Sequence, residues 1–132
     1  MVNSSKIEDW KGKNISVQPL SGGLTNTNFK VDVDGVPHFV RVPGESTELL
    51  AIDRNNEYHN TKAASHAGVA PKILHHLPEY NVMVIEFLNG KTMSKDALNE
   101  KGMPTRMAQA IKKLNQGPRF FSDFNMFRLT EY

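Results

Sequence analysis

The sequence predicts an α+β fold, with strands first, one long helix set among them, and further helices at the end. Three observations support it. From Ile15 to Val42, apolar runs are interrupted by turn signals, and Phe29, Val31 and Val33 show the period of two expected of half-buried strands. A long segment containing Leu49, Leu50, Ile52, Ala63 and Ala64 follows, with a Ser/Thr start signal and a Gly stop signal. Past Gly90, Met107, Ala110, Ile111 and Leu114 recur at i, i+3, i+4 and i+7, the period of an amphipathic helix.

The elements follow in order. Residues before Ile15 are polar and read as a loose or irregular lead-in. Strands are expected over 15–20, 27–32 and 36–42. Asp34-Gly35 marks a tight turn between the second and third. Alternation puts His38, Val40 and Val42 on one face of the third strand and Phe39 and Arg41 on the other. Ser46 or Thr47 is expected to cap a helix that runs to about Ala67, carries Glu57 near its middle, and stops at Gly68. A fourth strand over 72–76 and a turn at 78–81 lead to a fifth strand over 82–88. That last run is almost wholly apolar, so it is assigned a central position, with Val82 and Val84 in the core. A short helix over 96–100 and a longer one from Pro104 to Gly117 complete the pattern. Ser122 can cap a further helix, and Phe120, Phe121, Phe124 and Phe127 supply apolar surface that needs a partner.

Composition narrows the function. Sixteen Lys and Arg against fourteen Asp and Glu give a net charge of +2 over 132 residues, and the basic residues are scattered. A nucleic-acid binder usually carries a stronger basic footprint. No Cys is present, which removes disulfides and thiolate chemistry. Neither a signal-peptide core nor a run approaching ~20 apolar residues occurs, so neither secretion nor a membrane is implied and a cytoplasmic location is expected. His75 and His76 are adjacent on a strand, point to opposite faces, and make poor joint metal ligands; they read as surface and strand-end residues.

The most informative stretch is Leu20-Ser21-Gly22-Gly23-Leu24-Thr25-Asn26-Thr27-Asn28-Phe29. Gly22 and Gly23 open backbone angles closed to other residues, and Asn26 and Asn28 tolerate left-handed ones. Such a turn can aim N–H groups and short polar side chains at an anion such as a phosphate. Taken alone, it reads as an ordinary hairpin turn that binds nothing.

Four further motifs follow it in order: Phe39-Val40-Arg41-Val42-Pro43-Gly44, Ile52-Asp53-Arg54-Asn55-Asn56-Glu57, Gly68-Val69-Ala70-Pro71 and Val84-Ile85-Glu86-Phe87-Leu88-Asn89-Gly90. In this order the five motifs resemble the nucleotide-binding lobe of the protein-kinase-like phosphotransferases. More closely, they resemble the choline/ethanolamine kinase family and its aminoglycoside-phosphotransferase relatives, the bacterial choline kinases in particular. The resemblance spans about Ile15 to Gly90, and the Phe-rich tail fits the first helices of the family's large lobe.

That resemblance implies a five-stranded antiparallel sheet with one long helix as a small lobe over 1–88. A connector and the start of a truncated helical lobe are then expected over 89–132. It implies ATP as phosphoryl donor, Mg2+ held by residues beyond this sequence, and choline or a related amino alcohol as acceptor. Ser21, Gly22, Gly23, Thr25, Asn26 and Asn28 would cover the phosphates. Arg41 stands at the family's basic position on the third strand, with Glu57 on the next helix to hold it. Glu86, Phe87 and Leu88 match the hinge, whose backbone meets the adenine edge, and Phe39 faces the cleft.

The family's catalytic loop, roughly His-x-Asp-x-x-x-x-Asn with a later metal-binding Asp, has no counterpart: none of the five His has an Asp two residues on. Ser122-Asp123-Phe124-Asn125 is superficially similar to the metal motif but follows no catalytic loop, and Asp123 reads as a first-turn helix acid. No catalytic and no metal-binding residue is therefore assigned. Two readings stay open. One is the amino-terminal part of a choline kinase-like enzyme, inactive alone and prone to self-association through its uncovered helices. The other is a stand-alone, non-catalytic nucleotide-binding or interaction module, dimeric through the same helices. Ethanolamine, thiamine and aminoglycosides are alternative acceptors within the same kinase-like superfamily.

Overall fold

The computed structural model of the chain describes residues 6–21, 26–44 and 53–122. Within them lie β1 (Ile15–Leu20), β2 (Asn26–Val33), β3 (Val36–Pro43), α1 (Arg54–His66), β4 (Ile73–Leu77), β5 (Val82–Glu86), α2 (Lys95–Leu98) and α3 (Met103–Asn115). The strands form one antiparallel sheet in the order β1-β2-β3-β5-β4. This is the α+β arrangement expected, with β5 inside the sheet between β3 and β4. The β2–β3 hairpin closes through Asp34 (φ 50°) and Gly35 (φ 82°), left-handed angles that suit an Asp-Gly pair. Asp34 is further held by Asn14, whose N–H donates to Asp34 Oδ1 at 2.9 Å.

The register sorts the side chains onto two faces, because residues directly opposite each other project to the same side. His38 pairs with Val31, and Val40 with Phe29 and Val84. These belong to the outer face. Phe39 pairs with Lys30 and Ile85, and Arg41 with Asn28 and Met83. These belong to the inner face.

The outer face carries the main core: Val31, Val33, Val40, Val82 and Val84 pack with Ile7 and Trp10. Val82 and Val84 are essentially inaccessible, at 1% and 0%. Each such side chain contributes about 1.5–3 kcal/mol by leaving water. Ile7 and Trp10 correct the expectation of a loose lead-in. A single 3₁₀ turn at Glu8–Trp10 folds the lead-in across the sheet, and Trp10 lies edge-on to His38 and His75, at 5.3 and 6.1 Å between centroids. A large aromatic among polar neighbours suffices for this, since one indole buries more apolar area than any single aliphatic side chain.

Other boundaries shift for local reasons. Described α1 begins at Arg54, and its cap is Asp53, whose carboxylate accepts from the N–H groups of Asn55 and Asn56 at 2.9 and 3.1 Å. Ser46 and Thr47 lie outside the described residues. Gly68 (φ 71°) follows the helix, as expected of a left-handed stop. β5 ends at Glu86, two residues before the expected end, leaving Phe87 and Leu88 in the connector. The short helix is Lys95–Leu98, capped by Ser94. In α3, Met103 is buried, but the expected apolar stripe is open, with Met107 41% and Ile111 56% exposed. Among the described residues no helix is long and apolar enough to cross a membrane. Asp123, Phe124, Asn125 and Phe127 are outside the described residues.

Candidate functional site

The inner face of the sheet and the first turns of α1 meet at one ionic cluster. Arg41 projects from β3, a half-buried side chain on the face opposite the main core. Its Nη1 donates to Glu57 Oε1 on α1. The second carboxylate oxygen, Oε2, accepts from Arg54 Nη1 at 2.7 Å, one turn back along the same helix. Glu57 thus bridges a strand to a helix, and the Asp53 cap fixes where that helix starts. Burial alone would push the Glu57 carboxyl up. The hydrogen bonds from Arg54 and Arg41 and their positive charges outweigh it and hold the group below its ordinary value.

Beside this cluster is a small, partly open space lined by Arg41, Arg54, Glu57, Tyr58, His76, Asn81 and Met83. Tyr58 and His76 stack face to face there, 4.0 Å between centroids and 9° between planes. His75 turns the other way, toward Trp10. The two histidines do point to opposite faces, but both are half-buried and in contact with an aromatic ring, His76 stacked and His75 edge-on, not loose surface groups. Burial, reinforced by the nearby His59, holds His76 below its ordinary value. Among the described residues no group of three or more His, Asp or Glu side chains could hold a metal ion.

Asn28 stands directly across from Arg41 in the β2–β3 ladder, and Asn26 across from Pro43. The end of the glycine turn is thereby brought beside the Arg41–Glu57 pair. Ser21 is exposed at the end of β1. Gly22, Gly23 and Thr25 lie outside the described residues.

At the other end of the inner face, Phe39 is half-buried opposite Ile85. Lys30, on the next strand, sets its ammonium 5.2 Å from the centroid of the Phe87 ring and 3.6 Å from Asp32 Oδ2. Glu86 is engaged with β4: its N–H donates to the Lys72 carbonyl and its Oε2 accepts from the Lys72 N–H, both at 3.0 Å. Leu88 is 63% exposed. Three residues at the cluster carried no assignment from sequence: Arg54, Tyr58 and His76. Arg54 had a usable signal, its i, i+3 spacing to Glu57. The Tyr58–His76 stack had none, because it depends on how α1 lies against β4.

A five-stranded antiparallel sheet whose middle strand carries a basic side chain held by a carboxylate on the following helix is the layout of the small lobe of kinase-like folds. The sequence model of the choline/ethanolamine kinase family matches residues 17–116, and the chain belongs to that family. Its fold superposes on a choline/ethanolamine kinase family protein from Mesorhizobium loti with a TM-score of 0.72 and 33% identity, over 92% of this chain and 38% of that one. Choline kinase LicA from Streptococcus pneumoniae aligns with a TM-score of 0.73 and 21% identity, over 97% of this chain and 44% of that one. A structure of LicA in complex with AMP gives 0.74 and 21%, over 97% and 45%. The chain therefore spans less than half the length of each of these proteins. No curated protein matches it.

Proposed function

We propose that this chain is the ATP-binding lobe of a phosphotransferase that moves the γ-phosphate of ATP to the hydroxyl of choline or a related amino alcohol. The observation that carries the reading is the Arg41–Glu57 pair between β3 and α1. Phosphoryl transfer asks the protein chiefly for positioning and neutralisation of phosphate charge. A fixed guanidinium on a rigid strand supplies both.

Ser21, Gly22, Gly23, Thr25, Asn26 and Asn28 then form the cover over the phosphates. Phe39, Phe87 and Leu88 border the base, with recognition by backbone groups of the connector. The Glu86 N–H already serves β4, so Glu86 contributes through its carbonyl. The small lobe is 1–88, and 89–132 begins the helical lobe. No residue of this sequence is assigned to magnesium, to the catalytic loop or to the acceptor site. The chain alone is inactive, and its setting is the cytoplasm.

Calorimetric titration of the purified chain with ATP and AMP tests the reading. Wild type is expected to bind ATP more tightly than AMP, and Arg41→Gln to abolish that difference. Equal affinity for both nucleotides, or none for either, overturns it. Phosphocholine formation by the 132-residue chain would refute its inactivity.

A further inference from the structure

The cluster contains two guanidiniums and one carboxylate, and Glu57 gives one oxygen to each. Among the described residues no second carboxylate reaches either arginine, so these three side chains together carry a net positive charge. The two arginines are not equivalent. Arg54 is the drier, its side chain 15% exposed against 30% for Arg41. It spends its one cluster contact on Glu57. Its Nη2 is buried with no hydrogen-bond partner among the described residues. A buried, unsatisfied donor costs stability, so packing alone does not explain an arginine there.

We propose that Arg54 is a positioning residue that holds Glu57 from its drier side, leaving Arg41 with positive charge to offer a triphosphate. The inference rests on the nucleotide-binding reading above. Without Arg54, Glu57 would turn both oxygens onto Arg41 as a fork-to-fork pair and neutralise it. With Arg54 in place, only one arm of Arg41 is engaged among the described residues. The remaining N–H donors of Arg41 stay available for phosphate oxygens. Glu57 then orients Arg41 without cancelling it. Arg54 touches no nucleotide in this scheme.

The test uses the chain with Arg54→Gln, Arg54→Lys, Arg41→Gln and the Arg41→Gln/Arg54→Gln double variant. ATP and AMP affinities are measured by titration, and the Glu57 carboxyl is followed by carbon NMR across pH. Arg54→Gln is expected to weaken ATP about tenfold and leave AMP unchanged. Arg54→Lys should recover most of the loss. The double variant should bind ATP no more weakly than Arg41→Gln, because Arg54 acts only through Arg41. The Glu57 titration should move up in Arg54→Gln, since the carboxyl loses a donor and a charge while burial remains. Equal weakening of ATP and AMP marks a purely structural role and overturns the proposal, as does an additive double variant or an unmoved Glu57 titration. If wild type binds neither nucleotide, the nucleotide reading fails and the charge argument with it. The NMR titration still reports separately whether Arg54 holds Glu57.

Discussion

The Phe121 N–H donates to Asn60 Oδ1 at 2.9 Å, joining the segment beyond α3 to the middle of α1. The Phe121 ring also lies on His59, 5.0 Å between centroids. Two further ties act near the end of α1. Lys113 Nζ donates to the Gly68 carbonyl at 3.3 Å, and Gly117 sits so close to Ala67 that a methyl group there would stand 2.5 Å from the Ala67 Cβ. The helix that carries Glu57 is thus gripped by the sheet at its start and by the post-connector helices along its far half. The orientation of the ionic cluster depends on both.

Gly117→Ala should loosen this second grip. The added methyl overlaps Ala67, and a displacement of one helix end costs about 1–3 kcal/mol. Urea denaturation followed by circular dichroism gives the loss. Hydrogen exchange should show faster opening of the α1 amides, with the β2–β3 amides unaffected. Uniform acceleration across the chain would contradict a local joint.

Glu57→Gln removes the counter-charge of two half-buried guanidiniums, at a cost of about 1–3 kcal/mol at neutral pH. The sign with pH follows from the depressed carboxyl. A folded-state value below the unfolded one gives stability that is full above the unfolded value and is lost as pH falls through the folded one. Wild type and variant should therefore differ at pH 7 and converge in acid. A constant gap across pH would exclude the ionic pair as its source.

His76 gives a second handle of the same sign, set in the histidine range. Its folded value is lowered, so the unfolded chain binds the proton more readily, and stability falls as pH drops below the ordinary histidine range. His76→Gln loses the stack on Tyr58 but should also lose that part of the acid sensitivity. Denaturation midpoints of both proteins at pH 7.5 and 5.5 decide it. An equal drop in both assigns the sensitivity elsewhere.

Trp10→Ala should be among the most damaging single changes. The indole is 6% exposed and sits in the main cluster with Ile7. Truncation of a buried aromatic costs about 3–5 kcal/mol. Thermal unfolding by circular dichroism is the readout. A loss under 1 kcal/mol would mean that the lead-in is dispensable.

Ile111→Glu tests the open face of α3. Ile111, Met107, Phe120 and Phe121 are all substantially exposed, a concentration of apolar surface that favours association. Sedimentation should show concentration-dependent self-association of wild type and a more monomeric variant. A wild type monomeric at all concentrations would assign this face no role in pairing the isolated chain.

The parts of the fold legible in the sequence were those set by local rules. The Asp34-Gly35 hairpin, the inner and outer faces of β3, the buried run of β5 and the Gly68 stop each follow from a turn preference or a period. The Arg41–Glu57 pair came from family resemblance, since no spacing rule links a strand to the next helix. What escaped was non-local. Trp10 and Ile7 enter the core by crossing a sheet whose strands come later in the chain. Arg54 was overlooked because a charged residue at a helix start usually faces water, whereas here Glu57 draws it inward. The Asp53 cap escaped notice because Ser, Thr and Asp all cap well and several of them lie in that region.

The two outer strands differ in how they present their free sides. On β1, Pro19 supplies no N–H to any newcomer. On β4, the ladder slips between Ile73 and His75, which breaks the flat run of donors and acceptors that another strand would need. Both margins of the sheet are therefore poor templates for growth into a larger sheet or a fibril. When copies of this chain meet at high concentration, contact is steered toward side-chain burial by the helices, which dilution reverses, and away from backbone zippering, which it does not.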